Sequence, residues 1–141
     1  MKVLVDTSIW SIAFRRSIGK LSSNEKTVLD SLKRLIEELN IIIIGPIRQE
    51  ILSGIDNQRQ FSKLKEKLWA FDDLPIISRD YELAAEFYNL CRKNGIQGSH
   101  IDFLICAVAL RNKLSIFTID KDFEMYSKYT GINLFNTKET I

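Results

Sequence analysis

Lys2-Val3-Leu4-Val5-Asp6-Thr7-Ser8 is the stretch from which the rest of the chain can be read. Val3, Leu4 and Val5 form an unbroken β-prone apolar run, the pattern of a strand buried on both faces. Asp6 ends the run at once, and Thr7 and Ser8 follow as hydroxyls suited to the start of a helix. A carboxylate at the carboxyl end of a buried parallel strand stands where open α/β folds place their ligands. Taken alone, Asp6 reads equally well as a helix cap; what converges on it decides between the two.

Working outward, Ser8 to Phe14 predicts a short helix, followed by Arg15, Arg16 and Gly19-Lys20. Ser22 or Ser23 is suited to cap a longer helix with Val28, Leu29, Leu32, Leu35, Ile36 and Leu39 at helical spacing. Ile41 to Ile44 reads as a second buried strand, closed by Gly45-Pro46, and Pro46 suits the first turn of a helix carrying Ile47, Ile51, Leu52 and Ile55. A further helix is expected over about Gln58 to Phe71, with Phe61, Leu64, Leu68 and Trp69 inward. Ile76-Ile77 reads as a short third strand after the Asp72-Asp73-Leu74-Pro75 turn. Asp80 is placed to cap a helix that ends near Asn94-Gly95. Gly98-Ser99-His100 opens another, Ile101 to Arg111, apolar nearly all round and so buried. Ser115 to Thr118 is the fourth strand, Asp120 to Lys128 the last helix, and Ile132 to Phe135 a short fifth strand. Strands separated by helices throughout imply a parallel sheet with right-handed crossovers between helical layers, a three-layer α/β/α fold.

The bulk composition fits that reading and narrows the function. At 141 residues with 45% apolar and 27% charged residues, the chain matches one globular domain spanning 1–141. The net charge of +2 neither demands nor excludes a nucleic-acid partner. Cys91 and Cys106 form no CxxC pair and fit reduced core thiols, so a cytoplasmic location is expected. The longest apolar run is far too short to span a membrane, and no signal peptide is legible because Asp6 interrupts the first one. The glycines do not supply a Walker or Rossmann phosphate loop, and the single histidine, His100, lacks the GxSxG elbow of a hydrolase triad. A capping-region or surface position accounts for His100.

Four further acids join Asp6. Glu50 lies one turn into the helix after the second strand, where a solvated helix glutamate is the plain reading. Asp102 completes an S-x-x-D capping pattern with Ser99, yet opens an apolar helix in which a carboxylate needs a partner. Asp120 and Asp122 flank Lys121 just after the fourth strand. If strands one and four are neighbours, the crevice between them is a topological switch point on which these acids converge. Crowded anions at neutral pH are held by a divalent cation or by protons. An all-oxygen set without histidine or cysteine suits Mg²⁺ or Mn²⁺ rather than zinc.

In that order, Asp6-Thr7-Ser8, Glu50, Asp102 before an Ala-containing buried helix, and Thr118-x-Asp120-x-Asp122-Phe123 resemble the PIN-domain signature over the whole chain. Within that superfamily the chain is similar to the VapC-type ribonuclease toxins of prokaryotic toxin–antitoxin pairs. The resemblance implies a sheet of about five strands in order 3-2-1-4-5, which sets strands one and four side by side. It implies Asp6, Glu50, Asp102 and Asp120 as the acidic quartet, Asp122 as an auxiliary acid that joins Asp6, Asp102 and Asp120 around the metal, and Thr7, Ser8 and Thr118 as groups orienting carboxylates or water. The expected activity is Mg²⁺- or Mn²⁺-dependent endonucleolytic hydrolysis of RNA. Expected partners are an RNA substrate, a cognate antitoxin covering the acidic pocket, and a second copy in a homodimer, with no membrane. Arg15, Arg16, Lys20 and Lys121 are candidate RNA contacts, read equally well as solvated charges. Trp10, Phe14 and Trp69 are candidates for base stacking, or core or interface residues. Two other classes are carried: a silent PIN-like domain that binds RNA or protein, and a metal-dependent DNA nuclease.

Overall fold

A computed structural model describes residues 1–15 and 18–137, the side chains of Arg15 and Ile18 apart. Strand β1 (Val3–Val5) is fully buried on both faces, and parallel partners flank it on either side. On one side β2 (Ile41–Ile42) pairs Val3 with Ile41 and Leu4 with Ile42. On the other, β3 (Ser115–Phe117) pairs Val3 with Ser115, Leu4 with Ile116 and Val5 with Phe117. Strand β4 (Asn133–Leu134) completes a sheet in the order β2-β1-β3-β4. Chain connections therefore leave β1 in opposite directions, and the crevice between β1 and β3 is the switch point the sequence called for.

Among the described residues the sheet has four strands where about five were expected, and the missing one is Ile76-Ile77. At that edge the chain makes a single parallel bridge, Ile43 to Asp73, with the Leu74 amide donating to the Ile43 carbonyl at 2.9 Å. Pro75 follows immediately and has no N–H to carry the ladder on, and Ile77 then serves as the N-cap of a helix. The order 3-2-1-4-5 thus survives as 2-1-4-5, with its outermost strand reduced to a bridge.

Helix α1 (Thr7–Arg15) leaves directly from β1. Helix α2 (Ser23–Glu37) begins with a capping box, the Ser22 hydroxyl accepting from the Glu25 amide while the Glu25 carboxylate accepts from the Ser22 amide. Helix α3 (Gly45–Leu52) carries Pro46 in its first turn, and α4 (Gln58–Leu68) is capped by Asn57. Helices α5 (Ser78–Lys93) and α6 (His100–Arg111) lie against each other, and α7 (Asp122–Thr130) ends at Gly131 in the left-handed conformation. Helices α1 to α4 contact one another as one group, and α5 to α7 as a second, the division expected of layers flanking a parallel sheet. No described helix is long and apolar enough to cross a membrane.

Two expected core positions are corrected. Leu39 lies beyond α2 in a positive-φ conformation (φ 59°) and is 77% exposed. Trp69 caps the C-terminus of α4, which stops short of Phe71, and is 66% exposed, with the Lys65 ammonium 5.7 Å from its ring. Trp10, by contrast, is fully buried, stacks on Phe14 at 5.6 Å and donates its indole N–H to the Val5 carbonyl, which places it in the core. Cys91 and Cys106 are buried free thiols, and burial pushes both up from the ordinary thiol range.

Candidate metal centre

The parallel register of β1 and β3 sets Asp6 beside Thr118 at the carboxyl ends of the two strands, where the Asp6 amide donates to the Phe117 carbonyl at 2.9 Å. Asp6 is 7% exposed. Its Oδ2 accepts from the Ser8 hydroxyl and the Thr118 hydroxyl, each at 2.8 Å, and from the Ser8 amide at 3.4 Å. Those hydroxyls are themselves acceptors: Ser8 Oγ from the Ile119 amide at 3.2 Å, and Thr118 Oγ1 from the Asp120 amide at 3.0 Å. A chain of donors thus runs from the backbone after β3 through two hydroxyls into one carboxylate oxygen. Asp6 also serves as the cap of the following helix, because its carbonyl accepts from the Ile9 and Trp10 amides at the start of α1.

Asp102 sits in the first turn of α6, its amide donating to the Ser99 hydroxyl at 3.1 Å. Its Oδ2 accepts from the Tyr126 phenol at 2.8 Å. Burial pushes the Asp102 carboxyl above the usual carboxylate range; the Tyr126 and Ser99 hydrogen bonds oppose that, and the charges of Asp120 and Asp6 add to it. Asp120 follows β3, half-buried, with its Oδ1 accepting from the Asp122 amide at 2.9 Å. Asp102 is therefore within electrostatic reach of both Asp6 and Asp120, and among the described residues none of the three forms a salt bridge. The three do not close around one point: among the described residues no group of three acidic, histidine or cysteine side chains has the geometry to enclose an ion.

Glu50 is exposed on α3, and Asp122 is exposed at the start of α7, its charge reaching Tyr126. Thr7 Oγ1 is buried without a hydrogen-bond partner among the described residues. Lys121 is exposed beside Asp120, on an open groove of about 440 Å³ lined also by Thr118, Ile119, Glu124 and Asn136. Lys20 is exposed at the end of a 3₁₀ turn; Arg16 and the side chain of Arg15 lie outside the described residues. His100 is exposed and stacks on Tyr88 at 4.9 Å.

The sequence reading did not pick out Tyr126. Its signal was present: Phe123, Tyr126 and Thr130 make the buried stripe of α7, and the one aromatic there with a polar tip is drawn to an acid. It also took Asp80 as a helix cap and missed its partner. Asp80 does accept from the Ile77 amide, but it is fully buried and paired with the Arg111 guanidinium, whose Nε and Nη2 both donate to it.

An all-oxygen donor set with Asp6 and Asp102 aligned by hydroxyl donors fits a hard divalent cation. The carboxylates available to hold it are Asp6, Asp102 and Asp120, with Asp122 next to Asp120.

Comparison with known proteins bears on the fold and the family. The PIN domain family matches residues 3–129. The VapC ribonuclease Mb1587 of Mycobacterium bovis and ribonuclease VapC11 of Mycobacterium tuberculosis are each 29% identical over 134 residues, covering 92% of this chain and 95% of the relative. Among solved structures, FitAcB from Neisseria gonorrhoeae superposes with a TM-score of 0.75 at 20% identity, over 97% of this chain and 99% of that one. VapBC2 from Rickettsia felis, bound to a DNA fragment from its promoter, gives 0.72 at 17% identity, over 96% and 98%. With the PIN domain matched over residues 3–129 of a 141-residue chain, on a parallel sheet with the expected switch point, this chain belongs to the PIN-domain family.

Proposed function

We propose that this chain is a metal-dependent endoribonuclease and the toxin member of a toxin–antitoxin pair. The observation that carries the reading is the Asp6 carboxylate, held by Ser8 and Thr118 at the carboxyl ends of β1 and β3, with Asp102 in electrostatic reach of both Asp6 and Asp120. Support comes from the curated relatives, named as VapC ribonucleases, and from the shared length and element order. Glu50, Asp122, Thr7, Ser8 and Thr118 complete the proposed site, with Lys20, Lys121, Arg15 and Arg16 as contacts to the RNA backbone.

A divalent cation, Mg²⁺ or Mn²⁺, supplies Lewis acidity toward the phosphate and lowers the pKa of water at neutral pH. The protein supplies placement. Ser8 at the start of α1 and Thr118 just after β3 both donate to Asp6 Oδ2, so Asp6 keeps one orientation with Oδ1 outside those two hydrogen bonds. Asp102 is fixed at its amide by Ser99 and at its carboxylate by Tyr126. Lys121, exposed on the groove beside Asp120, is positioned to meet a phosphate that runs along it. An acidic pocket of this kind suits inhibition by an antitoxin carrying a basic side chain. A homodimer belongs to the same reading.

Matched RNA and DNA strands incubated with the protein, with Mg²⁺ or with chelator, test it. RNA cut internally in Mg²⁺, uncut in chelator, and left without a 2′,3′-cyclic phosphate is the expected outcome, because attack by water does not use the 2′-hydroxyl. Cleavage of DNA alone favours a DNA nuclease. No cleavage, with RNA bound at unchanged affinity in chelator, favours a silent binding domain.

A further inference from the structure

Tyr126 is fully buried in α7, yet its phenol reaches across to α6 and donates to Asp102 Oδ2 at 2.8 Å. Its ring is fixed by Phe103 at 4.8 Å and Phe123 at 5.2 Å. The backbone leading into α6 is shaped to admit it. A Cβ on Gly98 would lie 2.5 Å from the Tyr126 hydroxyl oxygen, 2.8 Å from Cζ and 2.9 Å from Phe103 Cε2, all closer than side chains approach. Gly98 carries no positive φ, so glycine is needed there for room and not for backbone conformation. Ser99, the next residue, caps α6 by accepting from the Asp102 amide. One short segment thus fixes the backbone of Asp102 and leaves the notch through which Tyr126 fixes its carboxylate.

We propose that Tyr126, seated in the notch left by Gly98, is a positioning residue that turns Asp102 toward the divalent cation of the site. The inference rests on the metal-site reading above and extends it to two residues outside the acidic set. A buried phenol can donate only one hydrogen bond, and giving it to Oδ2 leaves Oδ1 to face the ion. A phenylalanine at 126 keeps the ring packing and removes only that donor. An alanine at 98 keeps the donor and displaces it.

Calorimetric titration of the full chain with Mn²⁺ in the absence of RNA tests the proposal, run beside thermal melting. Tyr126→Phe and Gly98→Ala are each expected to weaken Mn²⁺ binding by about tenfold, the low end of what loss of a partner to a metal ligand does. Val108→Ala, in the buried face of α6 away from Asp102, serves as the stability control and is expected to bind Mn²⁺ as wild type does. Tyr126→Phe that binds Mn²⁺ with wild-type affinity while remaining folded overturns the proposal and leaves the metal site standing. Weakening by Val108→Ala equal to that by Tyr126→Phe overturns it too, because loosened packing would then account for both. Wild-type protein that binds no Mn²⁺ removes the site itself and the proposal with it.

Discussion

Asp6 spends one carboxylate oxygen on structure: Ser8 and Thr118 both donate to Oδ2. These two hydroxyls are among the positions where the account is most exposed to test. Thr118→Val keeps the shape of the side chain and removes the donor that joins β3 to Asp6. It should lower Mn²⁺ affinity and RNA cleavage together by about tenfold while the melting temperature moves little. A loss of stability without a loss of metal affinity would make Thr118 a strand-end fastener and no more. The acids at this edge were legible because each follows a strand or opens a helix in the sequence, so position along the chain implied position in space. Tyr126 was not legible for the opposite reason. Its partner lies 24 residues away, and only the angle at which α7 meets α6 brings phenol and carboxylate together. Glu50 remains a candidate by order in the chain; the structure sets it exposed on α3.

Helices α5 and α6 are joined by a buried acid. Burial pushes the Asp80 carboxyl up, but the Arg111 hydrogen bonds, the Ile77 amide and the Arg111 charge outweigh it, and the group ends below its usual range. A carboxyl lowered in the folded state stabilises the protein above its ordinary pKa, and that contribution is lost as pH falls through the lowered value. Wild-type stability in urea should therefore decline on acidification below the usual carboxylate range. Arg111→Met removes the partner and leaves burial, which raises the pKa. The sign then reverses, and this variant should lose stability as pH rises toward neutral. A variant whose stability followed the wild-type pH profile would show that the pair carries none of this dependence. At the other side of the sheet, the expected third strand failed for a local reason. Ile76-Ile77 has strand composition, but Pro75 removes the donor and Asp80 draws Ile77 into a cap. Composition over two residues was outweighed by the chemistry on either side. Trp69 and Leu39 were misplaced in the same way: both lie at helix ends, where the helical period stops applying.

The whole chain was most readable in its alternation of strands and helices, which dictates a parallel sheet, and in the burial of β1 at its centre. That centre also carries the stability. Ile116, fully buried on β3 and paired with Leu4, is expected to cost about 2–5 kcal/mol when cut to alanine, read as a lowered urea midpoint with an unchanged slope. Because β1 and β3 end at Asp6 and Thr118, loosening their pairing should also weaken the site. The net charge of +2 hides a local imbalance that matters more: Asp102 feels the charges of both Asp6 and Asp120, and none of the three forms a salt bridge among the described residues. Fold and chemistry therefore meet in one residue. The most direct measurement is cleavage of total RNA in Mg²⁺ by wild type and by Asp6→Asn, each shown to be folded by its melting curve. Asparagine keeps the size of the side chain and removes the charge a cation needs, so cleavage should fall by more than about 100-fold, beyond the loss expected for any outer partner. Asp6→Asn that cuts RNA at the wild-type rate would contradict the account.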